Sequence, residues 1–234
     1  MFYPLPKKIQ LQASLAKWTL SSTDSVLLVL SLDELQLDPN FEHSELNQNL
    51  MNLVKKAKTL DIPIVSLNTN ELMNGMMFLG EKVSLRKQLI ITGKITAQAK
   101  QLIEYLGSVT ENICVINDVI LLSNIEQHIQ WIESISKQKY HHTNTYSLLR
   151  LWTLSAPKEF ILSSKGVLLS IAEALDIEAL EIDPTIDLKN YGLDSVSIVS
   201  LVGLWRANGA NIQYEDFTKY PTLEKLLAYL VNWQ

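Results

Sequence analysis

The sequence predicts two domains of different class: an α/β domain with a parallel sheet, followed by an all-α domain of four short helices. Two observations carry this prediction. Short apolar runs alternate with amphipathic helical stretches over the first 150 residues, whereas only short helices and loops follow from residue 163. The charge divides at nearly the same place, because residues 160–234 hold ten acids and five bases while residues 1–159 sum to zero. Alternation of strands and helices is typical of a parallel sheet covered by helices.

The composition places the chain among globular proteins. Of its 234 residues, 47% are hydrophobic and 19% are charged, which is ordinary for folded domains. No apolar run reaches the roughly 18 residues of a membrane span, and the N-terminus lacks the apolar core of a secretory signal. We therefore expect a cytoplasmic protein that enters no membrane. The acidic C-terminal region argues against nucleic-acid binding and favours basic protein partners.

The strands of the first domain are predicted from short, continuous apolar runs. Four such runs occur, at residues 26–30, 62–67, 88–93 and 113–117. Helical periodicity lies between and after them, at residues 46–60, 96–106 and 124–136. A last strand is expected at 146–154, after a polar segment. The single cysteine, Cys114, lies in the fourth run, so we predict a small buried apolar side chain there and no disulfide.

The second domain is predicted from helix caps and turn residues. Ser164 can cap a first helix, and a loop of 18 residues follows it, which is long enough that we expect it to pack across the helices. A helix from Asp194 ends at Gly209, and Thr222 caps the last helix. The predicted limits are residues 1–154 for the first domain, 155–162 for a linker and 163–234 for the second domain.

The segment Tyr191-Gly-Leu-Asp-Ser195 carries the chemistry of the second domain. It places a serine hydroxyl at the start of a helix, where another enzyme can reach it. A phosphodiester formed on this hydroxyl would lie near unpaired N–H groups at the positive end of the helix dipole. The plainer alternative is that Asp194 and Ser195 serve only as helix caps, which both residue types commonly do.

Residues 160–234 resemble the carrier (thiolation) domains of non-ribosomal peptide synthesis. Ser195 matches the serine that carries 4'-phosphopantetheine in that family, with Asp194 beside it. The stretch from Ser195 to Arg206, followed by Ile212 and Tyr220-Pro-Thr222, is most similar to aryl carrier domains. We expect partner proteins to dock beside the serine, with Val196, Val199 and Phe217 as candidate contacts. The alternative for each of these three is burial in the small core.

The resemblance to carrier domains also implies a cofactor and a set of partner enzymes. A phosphopantetheinyl transferase would attach the arm from coenzyme A, and a stand-alone adenylating enzyme would load an aryl acid such as 2,3-dihydroxybenzoate. A condensation or cyclisation domain of a peptide synthetase would accept the acid, in catechol siderophore biosynthesis. A carrier for an aminoacyl or another acyl group is the alternative. A carrier domain holds its cargo at high effective concentration and catalyses nothing itself.

The first 150 residues resemble the isochorismatase family, which implies a three-layer α/β fold. The resemblance lies in Tyr3-Pro-Leu-Pro6, in Leu15-Ala-Lys-Trp18 and in the successive apolar runs. Together with the carrier region, this arrangement is similar to the bifunctional isochorismatase/aryl carrier proteins.

The family's catalytic residues are missing from the matching positions. The first strand in that family ends in a His-Asp-Met-Gln type sequence with a catalytic aspartate, but Ser31 occupies that place here and Asp33 lies two residues on. The family's Lys-x-Arg-Tyr-Ser-x-Phe segment does not occur between residues 68 and 87, and its Tyr-x-His-x-Gly-Cys-like turn is replaced after Gly93. We therefore expect a non-catalytic domain, a pseudoenzyme. A domain that retains isochorismatase activity is the alternative.

Two further features have structural rather than catalytic interpretations. The apolar segment 72–79 suits a homodimer interface of the first domain, although it could equally belong to the core. His141 and His142 lack further ligand-type residues at metal spacing, so we interpret them as surface residues.

Overall fold

The computed structural model describes residues 3–5, 16–72, 79, 87–110 and 112–231. The chain divides into two compact units, Met1–Ser155 and Ala156–Gln234. In these described residues, no helix is long and apolar enough to cross a membrane.

The N-terminal unit is built around a parallel sheet, which has five strands within the described residues and the order β2-β1-β3-β4-β5. Every residue of the interior strand β1 is buried, as a strand covered on both faces requires. The predicted α/β class is confirmed. The strands are β1 (Ser25–Leu30), β2 (Ile64–Leu67), β3 (Gln88–Lys94), β4 (Ile113–Leu121) and β5 (His141–Thr143).

Helices cover both faces of the sheet and make three layers. Alternate residues of β1 point to opposite sides, so that Leu28 and Leu30 belong to one apolar cluster while Leu27 and Val29 belong to another. Helices α3 and α4 pack in the first cluster, and α2 and α5 pack in the second. The helices are α1 (Leu32–Gln36), α2 (Glu45–Thr59), α3 (Ala97–Val109), α4 (Ile125–Ser136) and α5 (Thr145–Ser155).

Local sequence fixes where three of these helices begin. The side chains of Ser44, Thr96 and Asn124 each accept a hydrogen bond from the backbone N–H three residues on, at the starts of α2, α3 and α4. Such caps satisfy one of the N–H groups that a first helical turn leaves unpaired. Cys114 is fully buried in β4, and burial raises the pKa of its thiol. The cysteine is therefore the buried apolar residue that the sequence predicts.

The strand expected at 146–154 is wrong. These residues form α5, and the fifth strand is the short His141–Thr143 in the segment that the sequence marked only as polar. The reason is helical burial, since Leu148 and Trp152, four residues apart, are both fully buried. The carboxylate of Asp118 also fixes the start of α5, because it accepts hydrogen bonds from the N–H and the hydroxyl of Thr145 at 2.8 and 2.9 Å.

Residues 3–5 lie against this unit through Tyr3. The Tyr3 hydroxyl accepts a hydrogen bond from the Leu122 N–H at 2.9 Å and lies 2.8 Å from Nδ1 of the buried His128. Nε2 of His128 lies 3.1 Å from the Asn117 carbonyl oxygen. Burial lowers the pKa of His128, which favours the neutral ring, and Nε2 is the donor in this contact because a carbonyl oxygen only accepts. Pro6 and Leu15, the other ends of the two N-terminal segments quoted above, lie outside the described residues.

The C-terminal unit is all-α in its described residues, and its predicted class is confirmed. It contains the helices α6 (Lys158–Ile161), α7 (Ser164–Leu175), α8 (Ser195–Ala207), α9 (Asp216–Lys219) and α10 (Leu223–Val231). In its core, the fully buried ring of Trp205 stacks on Phe217 with the ring centres 5.9 Å apart and the planes within 5° of parallel.

Two expectations about the start of this unit need correction. Within the expected linker 155–162, residues Lys158–Ile161 form α6, which packs on α7. The close approach depends on Gly166, since a Cβ there would lie 2.0 Å from the Phe160 carbonyl oxygen. The cap of α7 is Ser163, whose side chain accepts from the Gly166 N–H, and not Ser164. The domain limits themselves stay predictions.

Gly93 lies in β3 beside the end of β1, where both the backbone conformation and a close contact require glycine. Its φ is +99°, and a Cβ there would lie 2.1 Å from the Leu30 carbonyl oxygen. We predict that Gly93→Ala lowers the free energy of unfolding of the N-terminal unit by about 3 kcal/mol, because strain and a clash with main chain combine. Hydrogen exchange of the β1 amides measures this loss for that unit alone.

Gly209→Ala is the matched control. Gly209 has nearly the same φ, +100°, but a Cβ there would meet no atom within 4 Å. We expect a loss of about 1 kcal/mol, from the backbone conformation alone, in the exchange of the α8 amides. Equal losses for the two variants would contradict the role given to the Leu30 contact.

Candidate functional site

Ser195 is the first residue of α8, and its side chain is exposed. The residue before it, Asp194, caps the helix, because a carboxylate oxygen accepts a hydrogen bond from the Ser197 N–H at 2.7 Å. This bond holds the pKa of the Asp194 carboxyl below its usual value. The helix therefore begins with an ionised aspartate directly before an exposed serine.

The capping role of Asp194 changes the physical explanation for a serine at position 195. The sequence suggested that a phosphodiester on Ser195 would use unpaired N–H groups of the first turn. In the structure, the Asp194 carboxylate already accepts from the N–H of Ser197 and interacts with that of Val196. A phosphate on Ser195 would thus lie close to the negative charge of Asp194. The N–H groups that could bind the phosphate already interact with the Asp194 carboxylate. The position of Ser195 provides access from solvent, and the capping aspartate fixes its place on the helix.

The loop 176–193 holds the start of α8 in place. The Leu188 N–H donates to the Pro221 carbonyl at 2.9 Å, and the Glu224 N–H donates to the Pro184 carbonyl at 3.0 Å. Within the loop, the Tyr191 hydroxyl accepts from the Asp183 N–H at 2.8 Å. The loop is thereby tied to the beginning of α10, which confirms the expectation that it packs across the helices.

The turn from the loop into α8 depends on two residues. Gly192 has a φ of +94°, a conformation that suits glycine, and it ends the short 3₁₀ turn Leu188–Tyr191. Leu193 is buried and anchors the next residue to the core. The chain therefore reverses direction at Gly192 and presents Asp194 and Ser195 at the surface.

The three candidate partner contacts differ in exposure. Val196 and Val199 are 71% and 61% exposed on α8, as contact with another protein requires. Phe217 is only 3% exposed and stacks on Trp205. The expectation that Phe217 faces outward is wrong, because the core of this small unit uses its ring. The binding roles of Val196 and Val199 stay predictions.

Other exposed apolar side chains of the C-terminal unit were missed at the sequence level. Leu180 is fully exposed, and Ile186 and Tyr214 are about two-fifths exposed. The apolar residues of the loop that are buried are Ile182, Leu188 and Leu193. The sequence contains no local signal that separates the two groups.

In the N-terminal unit, the strand order β2-β1-β3-β4-β5 reverses between β1 and β3, and in sheets of this kind ligands bind outside the carboxyl ends of the strands at such a point. Ser31 follows β1 at this place. It has a left-handed backbone (φ 50°) and is fully buried, and in the described part of the chain its Oγ has no hydrogen-bond partner. The residue directly after β1 thus has a buried, uncharged side chain, and its correspondence to the family's catalytic aspartate stays a prediction.

The carboxylates that follow β1 are bonded to other groups of the chain. The Thr69 N–H and hydroxyl donate to Asp33 Oδ1 at 3.0 and 3.1 Å, and the same hydroxyl lies 3.1 Å from Glu34 Oε1. Lys94 Nζ lies 2.6 Å from Glu34 Oε2. Asp33 therefore links α1 to the segment after β2, and it is not in the place that Ser31 occupies.

The segment proposed as a dimer interface is only partly described. Its two ends, Leu72 and Leu79, are fully buried in the core of the N-terminal unit, and residues 73–78 lie outside the described residues. These two side chains do not form an exposed surface. Nor is His141 free at the surface, since its Nε2 lies 2.7 Å from the Trp18 carbonyl oxygen. Among the described residues, no group of three or more potential ligand side chains could hold a metal ion.

Comparison with known proteins identifies the C-terminal unit. Residues 165–230 match the family of phosphopantetheine attachment sites. This unit is a phosphopantetheine carrier domain. It takes 4'-phosphopantetheine as a covalent group.

Individual relatives extend this result to both units. The chain is 28% identical to an isochorismatase of Bacillus subtilis strain 168 over 152 residues, which cover 60% of this chain and 48% of the relative. It is 38% identical over 63 residues, or 27% of this chain, to phenyloxazoline synthase MbtB of Mycobacterium sp. strain MCS, and 37% identical over 54 residues to that of M. tuberculosis strain H37Rv. The chain spans about half of the isochorismatase and about a twentieth of the synthases.

The isochorismatase match reaches into the N-terminal unit. About 140 residues of this chain take part in it, whereas the carrier unit has only 79 residues. A carrier domain and homology to isochorismatase thus occur in one chain. The resemblance to the bifunctional isochorismatase/aryl carrier proteins is confirmed.

The burial of Phe217 leads to a prediction about the carrier domain. We expect Phe217→Ala to lower the free energy of unfolding by about 3 kcal/mol, because it removes the ring that stacks on Trp205 and leaves a cavity. Urea denaturation measures the loss. Tyr214→Ala is the control, since Tyr214 is 43% exposed and its truncation should cost less than about 1 kcal/mol. A stable Phe217→Ala variant that loses partner binding would restore the original interpretation of Phe217 as an outward contact.

Proposed function

We propose that Ser195 is the attachment point of the phosphopantetheine arm, and that the chain is an aryl carrier protein of siderophore-type peptide synthesis. The observation that carries this proposal is an exposed hydroxyl on the first residue of a capped helix, within the residues that match the phosphopantetheine family. The loop before the helix is fixed, so the hydroxyl is presented in one place.

The attachment step follows from ordinary phosphoryl chemistry. The Ser195 oxygen attacks the phosphorus on the pantetheine side of the coenzyme A pyrophosphate, and the bond from that phosphorus to the bridging oxygen breaks. Adenosine 3',5'-bisphosphate leaves, and the serine proton passes to a base. Asp194 is a poor candidate for that base, because its hydrogen bonds with N–H groups of α8 lower its pKa. The base therefore belongs to the transferase or to solvent.

Once attached, the arm supplies a terminal thiol that holds an acyl group as a thioester. The protein's contribution is to tether this group and to present it to successive partners. We propose an aryl acid such as 2,3-dihydroxybenzoate as the cargo, loaded by a stand-alone adenylating enzyme and accepted by a condensation or cyclisation domain. The similarity to a protein named phenyloxazoline synthase supports this choice, since that name describes a product with a phenyl ring.

We further propose that the N-terminal domain has lost hydrolase activity. Three features support this. The place of the catalytic aspartate holds the buried Ser31, Asp33 is held by Thr69, and Glu34 is paired with Lys94. Acid–base catalysis needs a titratable group free to reach the substrate. Both neighbouring carboxylates are instead engaged with groups of the chain itself.

Intact mass tests the attachment. With a phosphopantetheinyl transferase and coenzyme A, we expect the native chain to gain the mass of one phosphopantetheine and Ser195→Ala to gain none. Ser200→Ala is the control, because Ser200 is also an exposed serine of α8 and its loss should leave the mass gain complete. No gain on the native chain, or a gain on Ser195→Ala, would remove the basis of the proposal.

The same measurement identifies the cargo. The protein that carries phosphopantetheine is incubated with ATP, the acid and an adenylating enzyme specific for 2,3-dihydroxybenzoate, for salicylate or for an amino acid. A further gain equal to an aryl acyl group supports the aryl proposal. A gain from the amino acid alone would replace it with the aminoacyl alternative.

Release of pyruvate from isochorismate tests the N-terminal domain. We expect none above the rate without protein, because no free carboxylate occupies the position of Ser31. The isochorismatase of Bacillus subtilis serves as the positive control. Pyruvate formation that disappears in Glu34→Gln would show that the Glu34–Lys94 pair supports catalysis, and the domain would then be an active hydrolase.

A further inference from the structure

A cavity of about 150 Å³ lies in the N-terminal unit between α3 and α4. A cavity of roughly this volume admits one benzene-sized ring. It opens to solvent beside Glu104, which is exposed. The lining residues that determine its chemistry are Lys100, Ile103, Glu104, Trp131, Ile135 and Tyr140.

The cavity is separate from the ligand position expected of the sheet. The five described strands run parallel, and Tyr140 directly precedes β5. The cavity that Tyr140 lines therefore lies toward the amino ends of the strands. Ser31 follows β1, at the carboxyl ends, where sheets of this kind bind their ligands. The two places are at opposite edges of the sheet.

The walls of the cavity are aromatic and its floor is apolar. Ile103 and Ile135 are buried. Trp131 and Tyr140 are partly buried and pack against the same apolar cluster. The hydroxyl of Tyr140 lies over Gly107 of α3, where a Cβ would collide with it. Such a lining favours a flat, apolar ring.

Two opposite charges also line the cavity. Lys100 and Glu104 are four residues apart on α3, so they lie on one side of the helix. In the part of the chain that the structure describes, neither takes part in an ion pair. The Lys100 ammonium can therefore bind a carboxylate, and the Glu104 carboxylate can accept hydrogen bonds from hydroxyls. A ligand that satisfies both groups has an acid group and hydroxyl donors on one ring.

We propose that this cavity binds a hydroxylated aromatic acid, with the acid group at Lys100, a ring hydroxyl at Glu104 and the ring against the two aromatic side chains. The cargo proposed above, 2,3-dihydroxybenzoate, has this chemistry. In its choice of ligand, the inference rests on the proposed function. The binding itself needs neither Ser195 nor the phosphopantetheine arm, so it can be measured separately.

NMR titration of the full chain carrying Ser195→Ala tests the inference, since this variant lacks the proposed attachment residue. We expect 2,3-dihydroxybenzoate to bind with a Kd below about 1 mM and to shift amides of α3 and α4. Benzoate, which lacks the hydroxyls, and catechol, which lacks the acid group, should each bind more weakly. L-Phenylalanine serves as the probe for a free amino acid.

Two variants assign the two ends of the ligand. We expect Lys100→Met to weaken binding of 2,3-dihydroxybenzoate about tenfold and to leave that of catechol unchanged, because a charge-assisted hydrogen bond is lost. Glu104→Ala should weaken binding of 2,3-dihydroxybenzoate and catechol but not of benzoate, which loses only a like charge. Lys58→Met is the control. Lys58 is an exposed lysine of α2, on the other face of the sheet, and this variant should bind all three ligands as the native chain does.

The outcomes separate this inference from the proposed function. A Kd for 2,3-dihydroxybenzoate above about 1 mM, or equal affinities for the native side chains and both variants, overturns the cavity as its site. Shifts confined to residues after β1 place the ligand at the other edge of the sheet and also overturn it. Tighter binding of L-phenylalanine than of any acid assigns the cavity to a free amino acid instead. The expected pattern in a chain whose arm accepts no aryl acid supports the binding site while the proposed cargo fails.

Discussion

Ser195 is presented to solvent because the loop before α8 is bonded to another part of the same small domain. Main-chain hydrogen bonds join the loop to the start of α10, at Leu188–Pro221 and at Glu224–Pro184. Gly192 makes the turn, and Asp194 starts the helix. A 79-residue unit buries only a modest core. The hydrogen bonds of the loop, rather than extensive core packing, therefore hold Ser195 in place. Access and rigidity are thereby combined at one residue.

The N-terminal unit uses a different architecture, and polar groups at the carboxyl ends of its strands are bonded to groups of the chain itself. A parallel sheet with this strand order offers a ligand site at the ends of β1 and β3. Here the strained, buried Ser31 and the bonds among Asp33, Thr69, Glu34 and Lys94 occupy that region. The core around it stays complete, with helices on both faces of the sheet. Under the proposed function, the fold has been retained while its chemistry has been lost.

Helix α8 shows how the carrier domain balances stability against contact. Its inner side supplies Trp205 to the core, and its outer side keeps two exposed valines and a glycine where alanine would favour the helix. Features that weaken a domain without any internal compensation are expected at surfaces that serve another molecule. The outer side of α8 begins at Ser195, the proposed attachment residue.

Local sequence patterns were sufficient to predict β1, β3 and β4, the start of α8 at Asp194 and the position of Ser195. Apolar runs, capping side chains and glycine turns act within a few residues, so they can be recognised locally. Only the tertiary structure decided that 146–154 is a helix, that Phe217 is buried while Leu180 is exposed, and that Leu72 and Leu79 belong to the core. Burial depends on elements distant in the chain, such as Trp205 for Phe217, and short apolar segments do not specify which side will be covered.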